Sequence, residues 1–399
     1  MKAYLHTFGC RANQYDTELT RAALQAGGAE IVANVEEADV AIFNSCAVTA
    51  EAEADLRQAV RRAARKNAKL RTIVTGCAAA TDRGAIRELP SVSDVIGGAD
   101  LHAVAAALDL PREVVDVVAT QQTGSRALLR IQDGCDEHCT FCITTIARGA
   151  NRSRPLDEIV QEAQQLAQHH HEIVITGIHI GTYGTDIGTS LGALMDRLIE
   201  TVPEVRFRLS SIEATELDST LRRLYASDPR RLAPYLHAPL QSASNRLLKR
   251  MGRHWYTAER YAEVIEELLD GRAVFGLSAD IIAGFPGETE GDHEATLAFV
   301  ERLPFTSLHV FPFSLRPGTP AERLPDHIPG PVIARRAKEL RDVAARKAAE
   351  YRARRVGTMA DIVTLGAATQ RQGLTEDYLT VPVDPTIPRG VRFQGIIER

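Results

Sequence analysis

The residues of this chain that promise chemistry are its six cysteines. Cys135, Cys139 and Cys142 stand in one short loop with the spacing C-x3-C-x2-C. Thiolates that close in sequence can converge on one inorganic centre. Three ligands leave the fourth iron of a cubane 4Fe–4S cluster open to a small molecule. The competing reading is a zinc ion held by the three cysteines and His138. Cys10, Cys46 and Cys77 are dispersed, yet each follows a short β-type run. Their bland reading is as buried apolar thiols or disulfide partners. The start, Met1–His6, has no hydrophobic signal core, so a reducing, cytoplasmic setting is expected.

The elements that would position these cysteines alternate strand and helix. Ala3–Thr7, Ala38–Phe43 and Thr72–Thr75 read as strands, each ending just before one of the dispersed cysteines. Gln14–Ala26 reads as a helix, and a second runs from a Thr49 cap to about Asn67. That order predicts a parallel sheet with crossover helices, whose ligand-bearing loops gather beyond the carboxyl ends of the strands. The three cysteines would then be neighbours in space.

Residues 125–325 repeat the rhythm. Six strands are expected at Leu128–Gln132, Glu172–Thr176, Val205–Leu209, Tyr235–His237, Gly276–Ile282 and Ser307–Phe311, with helices such as Leu156–His169 and Thr257–Leu269. Six units predict a partial (β/α)6 barrel, with a doubly wound sheet as runner-up. Pro325–Pro331 reads as a linker, Val332–Val356 as a long charged helix, and Gly357–Arg399 as a small β-barrel. The fold class is therefore α/β, in four stretches: 1–120, 121–330, 331–356 and 357–399. His169, His170 and His171 are expected at an exposed helix end without a metal role. No apolar run of about 18 residues occurs, so no membrane span is expected.

Placed after the first barrel strand, the cysteine trio resembles the signature of the radical S-adenosylmethionine superfamily. The dispersed cysteines and the C-terminal β-rich segment make the whole chain resemble the methylthiotransferase family, in the order methylthiotransferase domain, radical barrel, TRAM domain. Gly9–Glu18, Asn44–Thr49 and Thr75–Ala78 are similar to the family's three cysteine motifs. Arg148-Gly149 with Arg152-Ser153-Arg154 is similar to the basic segment after the cluster loop. Thr176–Gly181, Pro239–Ser242 and Gly284–Thr289 are similar to barrel motifs.

The resemblance implies two 4Fe–4S clusters and S-adenosyl-L-methionine. Cys135, Cys139 and Cys142 would hold the cluster that reduces S-adenosylmethionine to a hydrogen-abstracting radical. Cys10, Cys46 and Cys77 would hold an auxiliary cluster that presents sulfur, and a second S-adenosylmethionine would supply the methyl group. The sulfur source and the electron donor are not named by the sequence. Gly284 and Gly287 either shape the turn around Pro286 or let S-adenosylmethionine approach. Gly9 and Gly76 permit tight turns before their cysteines. Glu213 would touch the ligand or cap a helix.

Family members act on adenosines beside a tRNA anticodon or on a ribosomal-protein aspartate. Asn13–Glu18 is closer to the tRNA enzymes, and Leu209–Glu213 resembles the threonylcarbamoyladenosine subgroup. The expected reaction is methylthiolation at carbon 2 of threonylcarbamoyladenosine at position 37 of tRNA. The alternatives are isopentenyladenosine in tRNA and the ribosomal-protein aspartate. Two departures stand out: Thr145 replaces a usual proline, which would loosen the loop, and Ala243 replaces a usual glycine, which would be strained at positive φ.

The net charge of −5 hides a split. Residues 1–120 carry −3, 121–330 carry −7 and 331–399 carry +5. Nine basic residues between Arg335 and Arg355 face only Glu339, Asp342 and Glu350 within that helix. Arg57, Arg61, Arg62, Arg65, Lys66, Lys69 and Arg71 run without an intervening acid. Both runs are expected to meet tRNA phosphates. Truncation after about Pro331 is expected to weaken tRNA binding and leave both clusters intact.

Overall fold

The computed structural model describes residues 1–47, 50–366 and 371–398. It divides into two compact units. The first takes residues 1–123, 132–137 and 142–152; the second takes 124–131, 138–141 and 153–399. After the boundary expected near residue 120, the chain thus crosses between the units four more times, inside the cysteine loop and its flanks.

The first unit opens with β1 (Lys2–Thr7), α1 (Arg11–Ala26), β2 (Glu30–Ile31), β3 (Val40–Ser45), α2 (Ala50–Lys66), β4 (Arg71–Gly76), α3 (Cys77–Thr81), β5 (Val92–Gly97) and α4 (Leu101–Ala107). Its sheet is parallel in the order β2-β1-β3-β4-β5. β3 and β4 are buried almost throughout, as a sheet covered on both faces requires. One core lies under α1 and α4, through Leu24, Ile42, Ile73 and Val104. The other lies under α2, through Phe43, Leu56, Val60 and Val74. The expected cap Thr49 lies outside the described residues.

The next elements are β6 (Ala127–Arg130), β7 (Gln132–Asp133), α5 (Thr144–Arg148), β8 (Arg152–Ser153), α6 (Leu156–Leu166), β9 (Glu172–Thr176), α7 (Leu191–Thr201), β10 (Arg206–Leu209), α8 (Ser219–Ser227), β11 (Tyr235–His237), α9 (Asn245–Arg250), α10 (Ala258–Leu269), β12 (Gly276–Ala283), α11 (Glu290–Arg302) and β13 (Ser307–Pro312). Two three-stranded parallel sheets, β10-β9-β6 and β11-β12-β13, are joined by a parallel bridge from Ser211 to His237. The spatial order is therefore β6, β9, β10, β11, β12, β13. It never reverses, whereas a doubly wound sheet must, so the partial barrel is the arrangement found.

The second unit ends with α12 (Gly330–Arg355), β14 (Met359–Leu365), β15 (Gln372–Leu374), β16 (Thr380–Pro382) and β17 (Arg392–Ile396). The four strands form an antiparallel sheet in the order β16-β15-β14-β17. This sheet is seated on the barrel strands. Arg206 and Arg208 of β10 are fully buried. They share the carboxylate of Glu172 (2.5 and 2.9 Å) and donate to the carbonyls of Asp361 (2.6 Å) and Thr375 (3.0 Å). Tyr378 stacks on Tyr235 at 4.3 Å. A Cβ at Gly276 would lie 2.1 Å from the carbonyl of Asp377, so only glycine lets that turn come so close.

Candidate functional site

Parallel pairing brings the dispersed cysteines together. β1, β3 and β4 are neighbours, with Thr7 opposite Asn44 and Ser45 opposite Gly76. Cys46 and Cys77 each follow the paired residues directly. Cys10 follows the turn after β1 and begins α1 at its N-terminal boundary. Gly9 has φ +98°, and a Cβ there would meet Cys46 Sγ at 2.7 Å. Gly76 has φ +91°, and its Cβ would lie 2.4 Å from the carbonyl of Ser45. Both glycines are needed for the approach as well as for the turn.

Motif residues around the thiols hold them in place. Asn13 is fully buried and donates to Asn44 Oδ1 and to the Ser45 carbonyl, both at 2.7 Å. Asn44 donates back to the Asn13 carbonyl at 2.9 Å. The Cys10 thiol faces Asn13 Oδ1 at 3.2 Å. Arg148, on α5 of the same unit, points its Nε at Cys77 Sγ (3.4 Å), with Nη2 on Asp16 (2.8 Å) and on Asn13 Oδ1 (3.2 Å). Burial pushes the Cys77 thiol up to about 11, and the Arg148 charge works against that shift. All six cysteines are free of disulfides.

The C-x3-C-x2-C loop is divided between the units. Cys135 and Cys142 belong to the first, where Cys135 N–H donates to the Gly149 carbonyl at 3.0 Å. Cys139 belongs to the second. There the neighbouring Thr140 donates its N–H to Met251 O (2.8 Å) and its hydroxyl to Arg250 O (3.1 Å). Arg253 points Nη1 at Cys139 Sγ (3.5 Å) and Nε at Tyr256 Oη (3.0 Å), and it pairs with Glu213. Trp255 Nε1–H also donates to Glu213. Glu213 forms a reciprocal capping box with Glu216, so the helix-cap reading holds, and the arginine contact joins it. Burial raises the Glu213 carboxyl above its usual range, with Arg253 opposing.

Sequence reasoning missed Arg253, Trp255 and Tyr256, which no cysteine motif contains. It named Arg148 only as part of a basic segment. It also missed a polar group on the barrel strands. His237 Nε2 and His309 Nδ1 each approach Asp280 at 3.2 Å, and His237 Nδ1 meets Ser278 Oγ at 2.7 Å. The period of two along β11, β12 and β13 was the available signal.

The glycines after β12 have packing reasons. Gly284 (φ +81°) would drive a Cβ to 2.4 Å from Ile333 of α12, and Gly287 (φ +80°) to 2.8 Å from Arg250 Nε. The two departures from the family pattern cost little. Thr145 sits in the first turn of α5, where proline and threonine are both accommodated. The left-handed residue of the Gln241–Ser244 segment is Gln241 (φ +63°), and Ala243 has no positive φ.

Comparisons with known proteins agree with this geometry. Residues 2–98 match the uncharacterized protein family UPF0004, and residues 129–300 match the Radical SAM superfamily. The threonylcarbamoyladenosine tRNA methylthiotransferase MtaB of Aquifex aeolicus is 33% identical, with 96% of each chain covered. The protein of that name from Bacillus subtilis is 36% identical over 94% of this chain and 89% of its own. A tRNA-2-methylthio-N(6)-dimethylallyladenosine synthase of a Wolbachia from Brugia malayi is 32% identical, covering 89% of this chain and 85% of its own. Among solved structures, the radical S-adenosylmethionine methyltransferase TsrM of Kitasatospora setae shares the fold, with TM-score 0.60 at 14% identity, covering 80% of this chain and 75% of its own. Thiols gathered at three strand ends, a C-x3-C-x2-C loop after the first barrel strand and relatives matching nearly end to end converge: the chain belongs to the radical S-adenosylmethionine methylthiotransferase family.

Proposed function

We propose that this enzyme methylthiolates carbon 2 of threonylcarbamoyladenosine at position 37 of tRNA. The observation that carries the reading is the gathering of Cys10, Cys46 and Cys77 just beyond the ends of β1, β3 and β4. A radical enzyme that inserted no sulfur would not require this second thiol set. The substrate follows relatives at 33–36% identity that are named for threonylcarbamoyladenosine. The relatives named for dimethylallyladenosine, at 31–32%, favour isopentenyladenosine as the second reading.

The donor sets fit the groups implied. Each consists of three thiols with one buried guanidinium directed at a sulfur, Arg148 at Cys77 and Arg253 at Cys139. Positive N–H donors suit an anionic iron–sulfur cluster. Cys135, Cys139 and Cys142 would hold the cluster that works with S-adenosylmethionine, and Cys10, Cys46 and Cys77 the auxiliary one. When bound, the first supplies the electron for radical generation and the second a site for sulfur. The chain itself fixes the thiols: Asn13 and Asn44 lock the start of α1 to the end of β3, and Thr140 anchors the loop around Cys139. Gly284 and Gly287 keep the segment after β12 tight, and we place S-adenosylmethionine in their vicinity.

Nucleoside mass spectrometry of tRNA from cells with and without the gene tests the substrate. Loss of methylthio-threonylcarbamoyladenosine is expected. Loss of the methylthio group from isopentenyladenosine would move the assignment to the second reading. Intact levels of both would refute a tRNA substrate.

A further inference from the structure

The sheet of the first unit is covered unevenly. α1 and α4 pack on one face. On the other, α2 covers β3 and β4 through Leu56, Val60 and Ala63. Tyr4, His6 and Phe8 alternate along β1 and its continuation, and so share that second face. Their rings form a row: Tyr4 to His6 is 6.3 Å with an interplanar angle of 11°, and His6 to Phe8 is 4.6 Å. Phe43 of β3 extends the row, 6.3 Å from Phe8. His6 is exposed, and Tyr4 and Phe8 are half-buried.

Between this row and α2 lies a groove of about 400 Å³, walled by Gln58, Arg62 and Lys66. That size is in the range of sites for small ligands. Its acidic member Glu36 is neutralised by Lys66 at 2.6 Å; Asp55 also lines it. Arg61, Arg62 and Arg65 of α2 and the nearby Lys69 are exposed and have no ion-pair partner among the described residues. An aromatic floor beside unneutralised guanidinium groups suits single-stranded nucleic acid. Bases stack on the rings, and phosphates meet the charges. A duplex keeps its bases stacked inside and cannot use such a floor.

We propose that this groove binds unpaired nucleotides of the RNA substrate, with bases on Tyr4, His6 and Phe8 and phosphates on Arg62, which lines it, and on Arg65, its i+3 neighbour on the helix surface. The proposal rests on the tRNA reading above and deepens it. The aromatic row runs along β1 toward Gly9 and Cys10, so a strand lying in the groove is led to the thiol edge of the same unit. A peptide or a second copy of the chain would have less use for a row of unpaired arginines.

The test uses the full chain with its clusters reconstituted anaerobically. Two probes are compared, an anticodon stem–loop RNA and a blunt RNA duplex of equal charge. His6→Ala should weaken stem–loop binding about fivefold or more, the loss of one stacked base, and leave duplex binding unchanged. His6→Phe should restore the affinity. Each of Arg62→Ala and Arg65→Ala should reduce the slope of log K against log salt by about 0.7. A photoreactive base in the loop should crosslink to the Tyr4–Phe8 peptide. Wild-type affinity in His6→Ala, or an unchanged salt slope in both arginine variants, overturns the groove while the tRNA reading stands. Failure of the wild-type chain to bind the stem–loop overturns the tRNA reading, and the groove with it. Equal loss on both probes in His6→Ala points to general damage and also counts against the groove. The exposed Arg65→Ala then decides independently through its salt slope.

Discussion

A guanidinium sealed beside a thiol has to be matched by negative charge. Arg148 has a side-chain exposure of 1% and is held by Asp16, 4% exposed, at 2.8 Å. Removing one partner of such a pair strands the other and costs about 3–5 kcal/mol. Arg148→Met should therefore lower the unfolding free energy in urea by about 3 kcal/mol and reduce the iron retained at the Cys10–Cys46–Cys77 set. A loss no larger than that of an exposed arginine such as Arg61→Met would contradict the assignment. A second titrating group gives a pH signature. Asp292 caps α11 and accepts from Arg246, Ser244 and Thr289, which together hold its carboxyl well below the usual range despite burial. A folded-state pKa below the unfolded value of about 3.9 adds stability above that value, lost as pH falls toward the folded pKa. Asp292→Asn should flatten the acid limb of a stability–pH curve below about pH 4; an unchanged limb would exclude it as a contributor. The cysteines were legible because their spacing is itself the signal. Arg253 and Trp255 were not, because they reach Cys139 and Glu213 only after the barrel closes, more than 100 and about 40 residues away along the chain.

Elements were legible where periodicity was strong. β9 and β11 match their expected bounds, and α10 starts one residue after Thr257, which caps it. α1 begins earlier than periodicity indicated, at Arg11, because Cys10 closes its N-terminus without a side-chain cap that sequence could reveal. β2 has two residues, and β5 interrupts Val92, Val95 and Ile96 with Ser93 and Asp94 and is partly exposed, so neither carried a strand pattern. The long helix α12 was legible as a helix and misleading as a charged surface. Its acids were counted only within the helix, but its partners lie about 45 residues away. Arg336 pairs with Glu288 and Glu290, Arg335 with Glu290, and Arg346 with Glu301. Arg355 is buried on Asp377 at 2.8 Å. These cations bind the helix to the barrel and the terminal sheet, whereas Arg61, Arg62 and Arg65 of α2 stay unpaired among the described residues. The turn entering the thiol edge makes the element-scale prediction. Gly9→Ala combines a left-handed backbone with a contact of 2.4 Å to Cys46 Cβ. It should reduce bound iron to the level of Cys10→Ala, while the iron bound by Cys135, Cys139 and Cys142 persists in both.

At the scale of the whole molecule, the net charge weighs against RNA, and its split points at residues 331–399. The structure redistributes that reading, because Arg335, Arg336, Arg346, Arg355 and Arg392 of that stretch are paired with acids inside the second unit. Arg206 and Arg208 have no exposure, and beyond Glu172 their remaining donors reach carbonyls of the C-terminal sheet at Asp361, Thr375 and Glu376. Tyr351 and Arg355 of α12 converge on Asp377 at the same junction. A chain cut after Pro331 would therefore expose two arginines that share one buried carboxylate, and would strip α12 from the barrel core, where Ala337 and Leu340 are packed. The expectation that truncation spares both clusters does not survive this geometry. The shortened chain should instead lose cooperative unfolding of the second unit and the iron held through Cys139, read by calorimetry and iron counting. A milder variant separates the junction from the RNA question. Tyr378→Ala removes the half-buried ring stacked on Tyr235 and near Arg208, at a cost of about 1–2 kcal/mol, less than for a fully buried aromatic. It should lower the thermal midpoint of the second unit and leave the stem–loop affinity of the folded protein unchanged. A Tyr378 variant that binds RNA poorly at full stability would instead put the terminal sheet in the interface.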